Sequence, residues 1–227
     1  MRKMFFVLLL IAIATPGWSA ELQKGQQELS YAIGMSIGGN LLQQKIDLDL
    51  DKLSAGIAAA YTGKEALLSQ EEMVKVLTDY QKEMQAKQIA EAAAAAEKNK
   101  AAGQAYLADN AKKDGVKTTD SGLQYEVLTK GDGVTPGAQD QVTVNYRGTL
   151  IDGTEFDSSY KRGQPATFGV SGVISGWTEA LQLMKEGDKF RLVIPAELAY
   201  GDRGAPPVIE PGSTLVFEVE LVKVNKN

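Results

Sequence analysis

The chain has 227 residues, with 29 acidic against 24 basic side chains, a net charge of −5, and neither histidine nor cysteine. That double absence excludes Ser-His and Cys-His nucleophilic catalysis, thiol redox chemistry, disulfides, the usual zinc sites and a lipid-modified N-terminal cysteine. The acidic balance makes a poor polyanion binder, so no nucleic-acid partner is expected. Any enzyme built here works with carboxylates, hydroxyls, backbone groups and shape.

Arg2 and Lys3, the apolar run Met4 to Ala14, and Thr15-Pro16-Gly17-Trp18-Ser19-Ala20 read as a signal peptide over 1–20, cut after Ser19 or Ala20. The run is too short to span a bilayer, so no transmembrane anchor is expected after cleavage. Residues 21–68 read as a helical dimerisation domain, with a helical pair over 26–63. Leu29, Ile33, Ile37 and Leu41 recur every fourth residue, and Gly34 and Gly38 leave room for another helix. The second helix carries Leu50, Leu53, Ile57 and Tyr61, with Gly63 as its stop. Two such helices enclose no core of their own and need a partner surface.

Ser69 with Glu72 is a capping box that opens a third helix, spanning the connecting region 69–114. Met73, Leu77, Tyr80 and Met84 give it an apolar stripe; beyond Met84 the chain turns Ala- and Lys/Glu-rich. A helix from Gln70 to Lys113 would be about 66 Å long, with a middle that has little to pack against. A disordered low-complexity linker is the alternative.

From 115 to 227 the pattern changes to β-branched and aromatic residues, and this segment holds all but one of the 7 prolines. Strands are expected at Leu123–Leu128, Val142–Leu150, Thr167–Val170, Phe190–Ile194 and Thr214–Val224, with Asp152-Gly153 as a hairpin turn. Trp177 to Met184 reads as one helix behind Ser175 as N-cap, with Trp177, Leu181 and Met184 facing the sheet. The fold class is α+β: a C-terminal twisted antiparallel sheet wrapped on one short helix, joined by a long helix to an all-α N-terminal dimerisation domain. Tyr146, Phe156, Phe168, Trp177, Tyr200 and Phe217 fall in separate elements, and as a set they read as either a small-domain core or a pocket.

Five blocks stand in order: Val142-Thr143-Val144-Asn145-Tyr146-Arg147-Gly148, Asp152 through Ser159, Val173-Ile174-Ser175-Gly176-Trp177, Ala199-Tyr200-Gly201, and Thr214 through Leu221. Together they resemble the FKBP-type peptidyl-prolyl cis-trans isomerases. The helical N-terminal half, Pro165-Ala166-Thr167-Phe168 and Ala180-Leu181-Gln182-Leu183-Met184 are similar to the macrophage infectivity potentiator (Mip) branch. The resemblance implies an isomerase acting on proline-containing polypeptides. Its catalytic set is Tyr146, Phe156, Asp157, Trp177, Tyr200 and Phe217, with Arg162, Phe168, Val173, Ile174, Val208 and Ile209 binding substrate or inhibitor. Trp177 would floor the pocket, and the Ile174 N–H and Tyr200 hydroxyl would donate to ligand carbonyls. Asp157 either tunes the pocket electrostatically or serves as a structural partner of Tyr146 and Arg162. Ala166, where many relatives carry an aromatic, implies a more open wall.

The resemblance further implies no metal and no cofactor, binding of macrolides of the tacrolimus/rapamycin type, and a homodimer through residues 21–84. An exported location follows from the N-terminal pattern, in the periplasm with outer-membrane association as a variant. Residues 116–227 alone are expected to match the full chain on a peptide but to be weaker in refolding a protein. Two other readings are a holdase chaperone with secondary isomerase activity and a small-molecule carrier.

Overall fold

The computed structural model describes residues 22–44 and 46–226; the signal-peptide reading of 1–20 lies outside them. The chain forms two compact units, one up to Gln70 and the other from Glu71 onward.

In the first unit, α1 (Gln26–Gln43) and α2 (Leu50–Thr62) form where the fourfold apolar spacing places them. Asp49 caps α2 by accepting from the Asp51 and Lys52 N–H groups, and Gly63 ends it in the left-handed conformation at φ 66°. Neither helix buries a residue; Leu29 is 62 % and Leu50 68 % exposed. A single copy of this unit has an apolar stripe and no core.

The helix α3 (Gln70–Asn110) runs 41 residues and ends three short of the expected Lys113. No helix among the described residues is long and apolar enough to cross a membrane. Contrary to the expectation that α3 has little to pack against beyond Met84, its second half lies on the sheet unit. Ala96, Gly103 and Asn110 are buried, spaced by two turns on one face. Small residues replace large ones there because the backbones nearly touch: a Cβ on Gly103 would stand 2.2 Å from Thr214 Oγ1. Asn110 Nδ2 donates to Gln124 Oε1 at 2.9 Å, and Arg191 donates to Asn110 Oδ1 at 3.1 Å and to the Tyr106 hydroxyl at 2.8 Å. These buried bonds satisfy polar groups that would otherwise be costly at the interface.

The sheet contains β1 (Val116–Thr118), β2 (Gln124–Thr129), β3 (Gln141–Leu150), β4 (Glu155–Ser158), β5 (Ala166–Gly169), β6 (Lys189–Ile194) and β7 (Leu215–Asn225). Its order is β1-β2-β6-β7-β3-β4, with β5 also on β3, and every pairing is antiparallel. The five expected strands form with ends shifted by about one residue. β1 and β4 are additional: three and four residues long and rich in charge, they carry no periodicity to read. The Asp152-Gly153 turn closes with the Leu150 N–H donating to the Thr154 carbonyl at 2.8 Å, Gly153 taking φ 90°.

Besides α3 and the one-turn α4 (Ser159–Arg162), the unit has a further helix on the sheet, α5 (Ser175–Leu183). Ser175 is its first residue and not its cap; Ile174 holds the capping position without a side-chain bond. Trp177, Leu181 and Met184 are buried as expected, in one core with Val144, Leu192, Ile194 and Val219. The alternation in β3 places Val142, Val144 and Tyr146 inward, and the register pairs Tyr146 with Val219 and Gly148 with Phe217 on the same face.

Candidate active site

β3 supplies Tyr146, β4 Phe156 and Asp157, β5 Phe168, β7 Phe217 and α5 Trp177; the segment before α5 adds Val173 and Ile174, and a loop adds Tyr200. Together with Gly172 they line a cavity of about 600 Å³. Trp177, 4 % exposed, packs edge-on against Tyr146 and Phe217 at 5.2 Å each and against Phe168 at 6.0 Å. Phe156 meets Phe217 at 5.5 Å and 84°. Such edge-to-face pairs set the ring planes at right angles, so the walls turn a corner and enclose a concave space.

Gly148 is part of this geometry although it lines nothing. A Cβ there would stand 2.6 Å from Phe217 Cε1 and 2.7 Å from Phe156 Cε2, so the strand lacks a side chain where two ring edges cross it. Ser159, fully buried, accepts from the Tyr146 N–H at 2.8 Å and stands in for a ladder partner where β4 leaves β3. Ser158 accepts from the Lys161 N–H and starts α4, which carries Arg162 to the rim. Sequence reasoning did not assign Gly148, Ser158, Ser159 or Gly172 to the site. A glycine inside an alternating strand and a Ser-Ser pair after a pocket carboxylate are the signals that pointed to the first three.

Asp157, Tyr146 and Arg162 form a closed triangle. The Tyr146 hydroxyl donates to Asp157 Oδ2 at 2.5 Å, Arg162 Nη2 to the Tyr146 oxygen at 2.6 Å, and Arg162 Nη1 to Asp157 Oδ1. The guanidinium also lies 5.3 Å from the Tyr146 ring centre. Burial pushes the Asp157 carboxyl up, but the hydrogen bonds from Tyr146 and Arg162 and the guanidinium charge outweigh it and hold the group below its ordinary value. Burial, then the bond to Asp157, raises the Tyr146 phenol. Hydrogen bonds to Tyr146 and Asp157 raise Arg162. All three therefore keep one charge state near neutral pH.

Arg162 does not line the cavity but bonds to Asp157 and Tyr146, which do. Val208 and Ile209, both expected to bind substrate or inhibitor, separate. The Ala205–Ile209 bridge turns Ile209 into the core at 6 % exposure, while Val208 faces a different cavity, about 230 Å³ in size, with Asn99 and Leu150. Among the described residues, the Tyr200 hydroxyl and the Ile174 N–H carry no intramolecular hydrogen bond. Both belong to residues that line the aromatic cavity. Ala166 lies outside the lining, leaving that wall to Phe168 alone among the β5 residues.

Such a cavity offers apolar walls, a carboxylate held in a fixed charge state, and lining residues with three unpartnered donors, the Ile174 N–H, the Tyr200 hydroxyl and the buried Trp177 Nε1. It provides no nucleophile–base pair, and no cluster of metal-ligating side chains occurs among the described residues. It suits a reaction that makes no bond.

Comparison with known proteins gives the same direction. Residues 133–222 match the family model of the FKBP-type peptidyl-prolyl cis-trans isomerase, and residues 26–127 match that of the domain amino terminal to it. Outer membrane protein MIP of Legionella longbeachae is 46 % identical over 208 residues, 92 % of this chain and 89 % of that protein. The peptidyl-prolyl cis-trans isomerase Mip of Coxiella burnetii is 43 % identical over 90 % of this chain and 89 % of its own length. The crystal structure of FkpA from Escherichia coli superposes with a TM-score of 0.72 at 44 % identity, covering 90 % of this chain and 98 % of that one. With both halves matched and relatives aligned over nearly their full length, the chain belongs to the FKBP-type peptidyl-prolyl cis-trans isomerases, in the group that contains Mip and FkpA.

Proposed function

We propose that the chain accelerates rotation about X-Pro bonds by desolvating the imide in the aromatic cavity and holding its twisted form. Rotation crosses about 18–20 kcal/mol because amide resonance is broken. The planar imide is more charge-separated than the twisted one, so water favours the planar form, and transfer into an apolar cavity lowers the barrier. Rings fitted to the proline and donors aimed at neighbouring carbonyls favour the transition state over either planar isomer. Each tenfold acceleration needs only about 1.4 kcal/mol, so shape and two hydrogen bonds suffice without covalent chemistry.

The observation that carries this reading is the six-ring cavity with the Ile174 N–H and the Tyr200 hydroxyl left without internal partners. Tyr146, Phe156, Trp177 and Phe217 enclose the ring; Phe168 and Val173 widen the apolar wall; Asp157, oriented by Tyr146 and Arg162, supplies a fixed negative field. The same walls suit macrolides of the tacrolimus/rapamycin type. Exchange NMR on a prolyl peptide tests the proposal: accelerated cis–trans exchange that such a macrolide abolishes supports it, and exchange at the uncatalysed rate overturns it.

The exposed stripe of α1 and α2 supports a homodimer through residues 21–84, in which a second copy covers Leu29, Ile33 and Leu50. Two linked sites would raise the effective concentration for one unfolded client. The basic-apolar start of the chain and its likeness to a protein named outer membrane protein MIP support export to the periplasm. The same exposed stripe also favours a holdase chaperone as second reading. Suppression of aggregation of a proline-free client separates it from isomerisation.

A further inference from the structure

The loop that carries Tyr200 into the cavity is a closed unit. The Gly212 N–H donates to the Gly201 carbonyl at 2.9 Å across its base, and Ala205 and Ile209 exchange backbone bonds at 2.8 and 3.1 Å. Between Gly201 and Ser213 it joins no strand of the sheet, and its backbone bonds among the described residues are internal to Tyr200–Ser213. Inside the domain, Ile209 is buried in the core and Ala205 packs against it. Outside, α3 grips both limbs. Asn99 Nδ2 donates to the Pro211 carbonyl at 2.9 Å and to Glu210 Oε2 at 3.1 Å on the returning limb; Lys100 pairs with Asp202 at 2.6 Å on the outgoing one. Gly212 lies so close to the helix that a Cβ would stand 2.4 Å from the Ala96 carbonyl oxygen.

We propose that Asn99 and Lys100 of α3 are positioning residues for isomerisation, holding the 201–212 loop so that Tyr200 stands ready at the cavity before substrate arrives. The proposal rests on reading Tyr200 as a donor to the bound chain. Neither residue touches substrate; both act through the loop. A loop released from α3 samples other positions, and the substrate must then select the competent fraction. Apparent affinity falls by that fraction, whereas bound substrate restores the loop and leaves turnover intact. The signature is a rise in KM without a matching loss of kcat.

The test uses the full chain carrying Asn99→Ala and Lys100→Met together, with Lys112→Ala, which breaks an exposed pair elsewhere on the same helix, as control. Exchange kinetics on a prolyl peptide should show KM raised about fivefold with kcat within about twofold of wild type. Hydrogen exchange should accelerate at the amides of 201–212, with β3, β7 and Tm unchanged, and Lys112→Ala should behave as wild type. In a Tyr200→Phe background the double substitution should add nothing further to KM. Unchanged KM and loop exchange, or an equal KM rise in the Tyr200→Phe background, would overturn the positioning role and leave the cavity's function standing. Wild-type kcat/KM in Tyr200→Phe alone would instead remove the donor reading on which the role depends.

Discussion

Replacing Gly148 by alanine puts a methyl where two cavity rings cross β3. The new Cβ would lie 2.6 Å from Phe217 and 2.7 Å from Phe156, against an ordinary contact beginning near 3.4 Å, so each ring must retreat by 0.7–0.8 Å or the strand must bend. Overpacking of this kind costs about 1–3 kcal/mol. For a domain of this size that corresponds to a Tm lower by roughly 4–12 °C. Both rings line the cavity, and displacements near 1 Å at a site governed by fit lower rates by up to about a hundredfold. We expect kcat/KM on a prolyl peptide to fall between about ten- and a hundredfold in a protein that still folds, with the Tm loss reduced when Phe156→Leu is added. Exchange NMR and thermal melts measure both. Wild-type kcat/KM at an unchanged Tm would refute the claim that these two rings are set by contact with the strand.

Other outcomes follow from the same geometry. With Asp157 held below, and Tyr146 and Arg162 above, their ordinary values, kcat/KM should be flat between about pH 6 and 8; a bell-shaped profile in that range would reveal a proton transfer the account lacks. Asp157→Asn keeps the shape and removes the charge, and should lower kcat/KM about tenfold; unchanged turnover would leave Asp157 a purely structural partner. Because its folded carboxyl is lowered, Asp157 adds stability that is present above its ordinary pKa of about 3.9 and lost as pH falls through the lower folded value, so Asp157→Asn should flatten the acid limb of a stability–pH curve. The contacts of α3 reverse the expectation that residues 116–227 alone match the full chain on a peptide: lacking Ala96, Asn99, Gly103 and Asn110, which cover the sheet and the Tyr200 loop, they should be less active than 88–227, and equal activity would make the covering half of α3 dispensable.

The inward faces of β3 and β7 were legible because strand side chains alternate with a period of two, whereas the six aromatics as a set read as core or pocket and were assigned to a cavity only through the resemblance to the FKBP-type isomerases. Tyr146 after Val142 and Val144 announces an inward face, and Phe217 with Val219 and Leu221 announces its partner. The helix Trp177–Met184 was legible for the corresponding reason at its own period. What failed to show depends on contacts between distant segments. Charged β4 is held by pairing with β3 and not by its own propensity. Val208 and Ile209, adjacent in sequence, diverge because a single bridge reverses the chain between them and Ala205. The docking of α3 was hidden because close backbone approach selects small residues, and Ala96 and Gly103 inside an alanine-rich stretch look like propensity alone. Their spacing of seven, ending on the polar Asn110, was the available signal.

The most direct measurement is the isomerisation rate of the full chain with Trp177→Leu and Tyr200→Ala, its fold verified by circular dichroism. Both changes shrink the walls while leaving Asp157, Tyr146 and Arg162 in place. Loss of at least about a hundredfold in kcat/KM is the outcome that desolvation and fit require. A folded double variant working at the wild-type rate would contradict them.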